Sequence, residues 1–590
     1  MKINKIKFTI IAVFCAAMVI PLSCKKNFLT QTNTFNSTAQ ATFTKSQDVV
    51  ALVNSIYDSY QNADLLKKSI WYYANFLSHD WYNDGADVAW NSYTINSNFA
   101  ALSVFWNNAY IAIGRANAAF GIIATAKANG VVTPALADRL TGEAYFLRGM
   151  SYYYLAGTFG GVPLEIQEIP GNNGLTPRST QDQVFAQVVA DMKQAETLLV
   201  SKSALPAADL GRATKGAAYG YEGAAQMWLK NYTAALAAFN NTELTSNYHL
   251  LQDFEQVNEF DHQNNDESLF EIQFDLVAGA SASWDGGWQN GGEEAWIDDF
   301  SWPHEISGFG YDYGNPGLWY SYAPGDRRKT LTIIGPGDTI QSKGIIAKWG
   351  GIKGYAVVQA GFAAGSQTYT GDDGKIINSC GSLKHPWYGD DLTRSGYYCA
   401  KKWRDPNLTG ANGTSAIFGT QNQVLLRYAE IILDRAECKV RTGDIPGAMA
   451  DLKIVRDRAW GLGLQGGSAS PVDGAGNPIV QDGLTYDGKP TQPITDPLQM
   501  VLSEYRHELT GDFSLFYNLR RAGPGVAAAF IHTNYNTDNS LLPEPYPYGP
   551  TADGQLHGVW FTSLPAGHDI LPIPQAAIGL NPNLKQNPGY

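Results

Sequence analysis

Two stretches of this chain carry the pattern of a tight pair of antiparallel helices, and that pattern limits the possible folds more than any other feature. In WLKNYTAALAAF (228–239), Leu229 and Tyr232 are followed by Ala235 and Phe239. In AEIILDRAECKVRTGDIPGAMADL (429–452), Gly443-Asp444 separates two helical runs, and Ala448 and Leu452 begin the second. A small residue at each crossing lets helices approach closely, while large residues fill the gaps between crossings. One hairpin of this kind cannot bury its apolar face alone, so such hairpins stack.

Other segments extend the stack. Helical periodicity begins near Asp48. The run from 103 to 120 places Phe105, Ala109, Ala112, Ala116 and Phe120 on one stripe. The run from 143 to 157 groups Phe146, Met150 and Tyr153, with Tyr145, Tyr152 and Tyr154 widening the apolar arc. Further helices are predicted over 180–200, 214–230 and 232–240, and a loop-like aromatic stretch over 78–100. From about 266 to 420, short β-like runs such as SLFEIQF (268–274) alternate with Gly-, Trp- and Asp-rich loops. A second loop-rich insertion, about 462–496, has Asp473-Gly474 and Asp487-Gly488 as turn signals. The fold class that follows is mainly α: tetratricopeptide-like stacked helical hairpins forming a scaffold, with long loop-rich, minor-β insertions packed on it. At 590 residues the chain exceeds the ~250–300 at which one hydrophobic core stops growing, so more than one core region is expected.

The first residues assign a compartment. Lys2, Lys5 and Lys7 precede an apolar run from Phe8 to Leu22, too short for a bilayer span of ~20 residues, and the layout is that of a signal peptide. It ends in Leu22-Ser23-Cys24, which resembles a bacterial lipobox whose cysteine becomes the acylated first residue. No other stretch reads as a span. Residues 25–45 are polar and suit a tether. Cys380 and Cys399 flank a Gly- and Tyr-rich loop and are candidates for a disulfide in an oxidising compartment, whereas Cys438 sits near the apolar face of a helix as a small hydrophobe. With no Cys-x-x-Cys, neither a zinc nor a redox site is implied. The net charge of −13, with no basic run beyond the first residues, argues against a nucleic-acid partner, which needs Lys and Arg to displace counterions. Charged residues are 16% and aromatics 12%, a balance that suits an exported protein with long ordered loops.

Six segments, in order along the chain, resemble the SusD/RagB family of Bacteroidetes. They are FWNNAYIAIGRAN (105–117), EAYFLRGMSYYYLAGTFGGVPL (143–164), GRATKGAAYGYEGAAQMWL (211–229), LLRYAEIILDRAE (425–437), EYRHELTGDFSLFYNLRR (504–521) and DILPIPQAAIGLNPNLKQNPGY (569–590). The resemblance covers nearly the whole mature chain. It divides the chain into a signal peptide (1–23), a lipidated N-terminus and tether (24–45), an N-terminal helical region (46–260) and a C-terminal region with loop-rich insertions (261–590). It implies a lipoprotein of the outer membrane that captures nutrient glycans and passes them to a SusC-like TonB-dependent β-barrel transporter, against which it sits as a lid. It implies no cofactor. Lys25-Lys26-Asn27 follows the lipidated position, where many surface-exported lipoproteins of the phylum carry acidic residues, so display at the cell exterior rests on the resemblance.

Sugar binding asks for exposed aromatic faces that stack on C–H surfaces, with amides and carboxylates nearby for the hydroxyls. Two loops offer this. In HDWYNDGADVAW (79–90), Trp81, Tyr82 and Trp90 are interleaved with Asp80, Asn83, Asp84 and Asp87. In WDGGWQNGGEEAW (284–296), Trp284, Trp288 and Trp296 stand among Asp285, Gln289, Asn290 and Glu293. The candidate glycan-binding residues are therefore Trp81, Tyr82, Asn83, Asp84, Trp90, Trp284, Trp288, Gln289, Asn290 and Trp296, on loops expected to share one face of the frame. The competing reading makes the same rings loop anchors buried against the helices. Trp319 and Tyr320, ahead of Gly325-Asp326-Arg327-Arg328, read as packing residues, and Glu504, Arg506 and Glu508 as structural ion pairs. A surface-anchored glycoside hydrolase is the alternative function, with Glu293, Glu294, Asp298 and Asp299 as its carboxylates; a protein-interaction scaffold without sugar binding is another. His507-Glu508 is not a zinc-binding His-Glu-x-x-His, and no Gly-x-Ser-x-Gly is present. The chain is read as a non-enzyme.

Overall fold

Apolar residues spaced three and four apart become helices, and the caps decide where each one ends. α1 (Ser46–Asp58) turns Val49, Val53 and Ile56 inward. α2 (Ala100–Ala128) and α3 (Pro134–Phe159) are longer than the stripes indicated. The stripe of α3 begins at 143, but Thr133 starts the helix by accepting from the Leu136 N–H, with Pro134 as the first residue, where its missing N–H is not needed. α4 (Gln181–Leu198) opens on a capping box between Thr180 and Gln183. α5 (Lys215–Trp228) and α6 (Tyr232–Phe239) are the first expected hairpin. Gly223 lets them touch, since a Cβ there would lie 2.2 Å from the Phe239 ring. α7 (Tyr428–Thr442) and α8 (Ile445–Ala459) are the second. Gly443 ends α7 at φ +88°, and the Asp444 carboxylate caps α8 by accepting from the Gly447 N–H at 3.0 Å. Cys438 is free and buried, as its position predicts. α9 (Pro497–Leu509), α10 (Leu515–Arg521) and α11 (Gln575–Leu580) follow.

This computed structural model describes residues 43–62, 65–83, 87–168, 175–274, 312–334, 421–481, 483, 491–534 and 564–590. Five short strand segments at 294–295, 368–370, 376–378, 398–399 and 418–419 are described as well. Cys24 and the tether to residue 42, Cys380, and the turn at Asp487-Gly488 lie outside these residues. The turn at Asp473-Gly474 is present, with the Asp473 carboxylate accepting from the Ala475 and Asn477 N–H groups.

Strands are few and short. β1 (Trp81–Asn83), β2 (Ser268–Ile272), β3 (Asp312–Gly314), β4 (Ile333–Ile334), β5 (Tyr398–Cys399) and β6 (Gln423–Arg427) matter most here. β2 pairs antiparallel with β6, from Ile272 opposite Gln423 to Ser268 opposite Arg427. The long insertion therefore leaves the frame and rejoins it at one ladder. A second, antiparallel sheet has the order β1-β3-β5-β4. The stretch 78–100, read as a loop, thus contains an edge strand.

The helical frame does not divide into separate cores. Among the described residues, one continuous cluster runs from Val49 to Leu584, and the only other is a small patch of Phe254, Val257 and Leu331. Stacked hairpins share interfaces, so each added helix lengthens the same core instead of founding another. Aromatic contacts distant in sequence sew it together: Phe146 meets Phe270 at 4.9 Å and Tyr73 meets Phe516 at 5.2 Å. α2 is long and apolar enough to cross a membrane by composition, but it packs in this frame with Phe105, Ala109, Ala112 and Ala116 buried.

Candidate functional site

α9 is where the frame takes hold of the segments that lead into the predicted ligand loops. Its sequence alternates apolar residues with Glu504, Arg506 and Glu508, and the whole helix from Met500 onward is buried. Such charges are tolerated inside only when paired. Arg328, fully buried, donates to Glu504 at 2.7 Å, to Glu508 at 2.8 Å and to both oxygens of Asp326. Arg456 bonds the other oxygen of Glu504 at 2.7 Å. Arg427 and Arg458 both reach Glu508 and Glu267, and Arg427 also binds Asp512 at 2.9 Å. Burial by itself would lower the Arg328 and Arg427 pKa values, yet the surrounding carboxylates outweigh it and hold both guanidinium groups charged. The reading of Glu504, Arg506 and Glu508 as structural ion pairs is correct. Glu267 and Arg427 sit at the ends of β2 and β6, so the network clamps both roots of the insertion.

The same hub holds the first aromatic loop. Arg506 donates to Asp80 at 2.9 Å, and the Trp71 indole donates to the Gly511 carbonyl at 2.8 Å. Asn75 exchanges hydrogen bonds with the backbone of Gly511 and Asp512. The Trp81 indole N–H donates to the Thr510 hydroxyl at 2.9 Å. Tyr322 donates to the His507 carbonyl, and His507 Nε2 lies 3.0 Å from the Ser321 hydroxyl. Desolvation, then the charges of Arg328, Arg506 and Arg456, holds the imidazole well below its ordinary value, so it is neutral. Trp319 is half-buried, with the Lys329 ammonium 3.3 Å from its ring centroid, in keeping with a packing role.

This geometry corrects part of the predicted site. Trp81 and Trp90 are 0% exposed and Asn83 is 1% exposed. Trp90 packs edge-on against Tyr72 and Phe99, each at 6.0 Å. Asn83 donates to Asp312 across the β1–β3 pair at 2.7 Å. Neither indole presents a face to solvent, so the anchor reading holds for Trp81, Asn83 and Trp90. The physical reason is strand pairing: β1 lies beside β3 with Trp81 opposite Gly314, and the indole is bonded to Thr510 just past α9. Tyr82 pairs with Tyr313 through its backbone, but its side chain lies outside the described residues, as do Asp84, Trp284, Trp288, Gln289, Asn290 and Trp296. Glu294 and Ala295 pair as a strand with Phe418 and Gly419. β1 thus lies beside the chain that follows the second aromatic loop, since β3 begins sixteen residues after Trp296 (312 − 296). Sequence reasoning missed the role of Asp80, which is a buried partner of Arg506 and not a hydroxyl acceptor. No local signal could have revealed it, because the two lie 426 residues apart.

Comparison with known proteins bears on this arrangement. The model of the SusD family matches residues 251–590, and a second family model, described as starch-binding associating with outer membrane, matches residues 27–229. SusD-like protein P2 of Formosa agariphila is 23% identical over 512 residues, covering 85% of this chain and 83% of that protein. Among solved structures, a laminarin-binding SusD-like protein superposes with a TM-score of 0.64 at 20% identity, over 92% of this chain and 100% of its own. Surface glycan-binding protein A from Bacteroides thetaiotaomicron, in complex with laminarihexaose, gives 0.63 at 18% identity over the same shares.

Proposed function

The chain belongs to the SusD family, and from that premise we propose that it is a lipid-anchored protein of the outer-membrane surface that captures an oligo- or polysaccharide and delivers it to a TonB-dependent β-barrel transporter. The observation that carries the reading is the clamp at the root of the insertion. The β2–β6 ladder and the Glu267–Arg427 pair gather both ends of a Gly- and Trp-rich segment onto a hub of buried ion pairs. A rigid mount under long aromatic loops is what weak, multi-point stacking on sugar rings requires. The solved relatives named for laminarin and laminarihexaose support the ligand class, and the outer-membrane description of the second family model supports the location. A lipid chain on Cys24 would supply the anchor. The role we infer is binding without turnover, as the glycan-binding relatives support. Glu293, Asp298, Asp299 and the Glu294 side chain lie outside the described residues, and the hub carboxylates, each bonded to an arginine, hold structure.

With Trp81, Asn83 and Trp90 assigned to anchoring, the ligand contacts fall to Tyr82, Asp84, Trp284, Trp288, Gln289, Asn290 and Trp296. By analogy with base stacking, each aromatic platform contributes roughly 1–3 kcal/mol, so losing one weakens binding by about tenfold. The test is calorimetric titration of the mature chain with laminarihexaose, maltohexaose, cellohexaose and xylohexaose. Trp284→Ala and Trp288→Ala should each lower affinity while the melting temperature holds. Wild-type affinity in both variants would refute the site, and unfolding of both would make them anchors too.

A further inference from the structure

Among the described residues, two cavities open on the helical frame away from the α9 hub. One, of about 500 Å3, lies between α1, residues 208–212 and the end of β2. Its polar side chains are committed to one another: Arg212 to Asn54, Gln61 to the Gln273 carbonyl, Asp58 to Arg115. It offers a ligand little.

The other, of about 470 Å3, runs along α2 between residues 163–168 and α11, within the range of natural ligand pockets. Trp106 and Tyr110, with ring centroids 5.1 Å apart, form its floor, and one helical turn on, Gly114 leaves space where a Cβ would meet nothing within 4 Å. One wall is apolar and ends in Leu580, which is 83% exposed. Asn107, Gln167 and Glu168 also line it, all exposed, and their side chains have no hydrogen-bond partner among the described residues, whereas Asn117 and Asn581 are already bonded. Trp106 is 7% exposed, and its indole N–H has no acceptor among the described residues. Aromatic rings and leucine side chains interspersed with amides and a carboxylate match a molecule with apolar C–H faces and hydroxyl groups.

We propose that this groove is a second saccharide-binding site, in which a sugar ring rests on Tyr110 and Leu580 and turns its hydroxyls to the Trp106 N–H, Asn107, Gln167 and Glu168. It shares the ligand class of the reading above but none of its residues, so the two fail separately. The test is hydrogen exchange of the mature chain with each of the four hexasaccharides named above. At least one should slow exchange over 105–118 and 163–168. Gly114→Trp fills the groove from an exposed helical position without disturbing the fold, as its melting temperature verifies, and should abolish that protection. Asn107→Ala should weaken binding at the groove about tenfold, and the Trp284→Ala/Trp288→Ala double variant should keep the groove protected. The proposal is overturned if no hexasaccharide protects the groove, or if protection survives Gly114→Trp. It is equally overturned if the groove is protected only when the purified transporter is added, which would make it a protein-docking surface.

Discussion

Trp81→Ala should unfold the protein's grip on its first aromatic loop well before it reveals anything about ligand. The indole is 0% exposed, and its N–H donates to Thr510 at 2.9 Å. A Cβ at Gly314 would stand 3.0 Å from the Trp81 ring, so the site is tightly packed around it. Removing a buried aromatic side chain costs about 3–5 kcal/mol. The orphaned Thr510 hydroxyl, itself fully buried, adds about 1 kcal/mol. A loss of roughly 4–6 kcal/mol is a large share of a typical stability of about 5–15 kcal/mol. Trp81→Phe keeps most of the apolar contact and should cost roughly 1–2 kcal/mol. Urea unfolding of the mature chain measures both. A double-mutant cycle of Trp81→Phe with Thr510→Val should return a coupling of about 1 kcal/mol. If Trp81→Ala stays within about 1 kcal/mol of wild type while glycan affinity drops, the anchor assignment is wrong and the ring is a stacking platform after all.

Cys24→Ala should release the protein from membranes, as fractionation of cells expressing the variant would reveal; full retention after signal-peptide removal would contradict the anchor. Rigorously purified protein should release no reducing ends from plant, algal, fungal or host glycans, and turnover lost in Glu293→Gln or Glu294→Gln would make it a hydrolase. His507 adds a pH dependence, because burial and three arginines depress its folded-state pKa below the ordinary 6.5. Its stabilising contribution is complete above that pH and is lost as pH falls below it, at ~1.4 kcal/mol per unit, since the unfolded chain binds a proton the folded chain refuses. His507→Gln should flatten that slope in unfolding measurements, and an unchanged slope would assign it to other groups.

The helical frame was legible because its cause is local. The small residues of 228–239 and the Gly443-Asp444 break are consequences of one hairpin's geometry, and the structure places helix ends at those residues. The ends of α2 and α3 were less legible: an apolar stripe reports which residues face the core, and a helix can run on past its stripe. The number of cores depends on which hairpins share a face, a property of the assembled stack that no single segment encodes.

The binding loops show why the remainder resisted reading. A ligand-binding tryptophan and an anchoring tryptophan need the same neighbours in sequence, a polar group for the N–H and small residues that let the chain turn. One thing that separates them is whether another part of the chain already supplies the partner, although Trp90, packed against Tyr72 and Phe99, is an anchor whose N–H has none among the described residues. For Trp81 it does: Thr510 lies 429 residues away, and the adjacent Asp80 is bound by Arg506 at a separation of 426. Both contacts come from the last turn of α9 and the residue after it, so one helix end turns a run of aromatic and acidic residues into the root of a loop. For Trp106 the same question has the opposite answer. It belongs to the FWNNAY stretch that the family resemblance marked as helix, yet it lines a groove and its N–H has no acceptor among the described residues. Local composition ranks Trp81 as a ligand contact, and its long-range hydrogen bond to Thr510 reverses that reading.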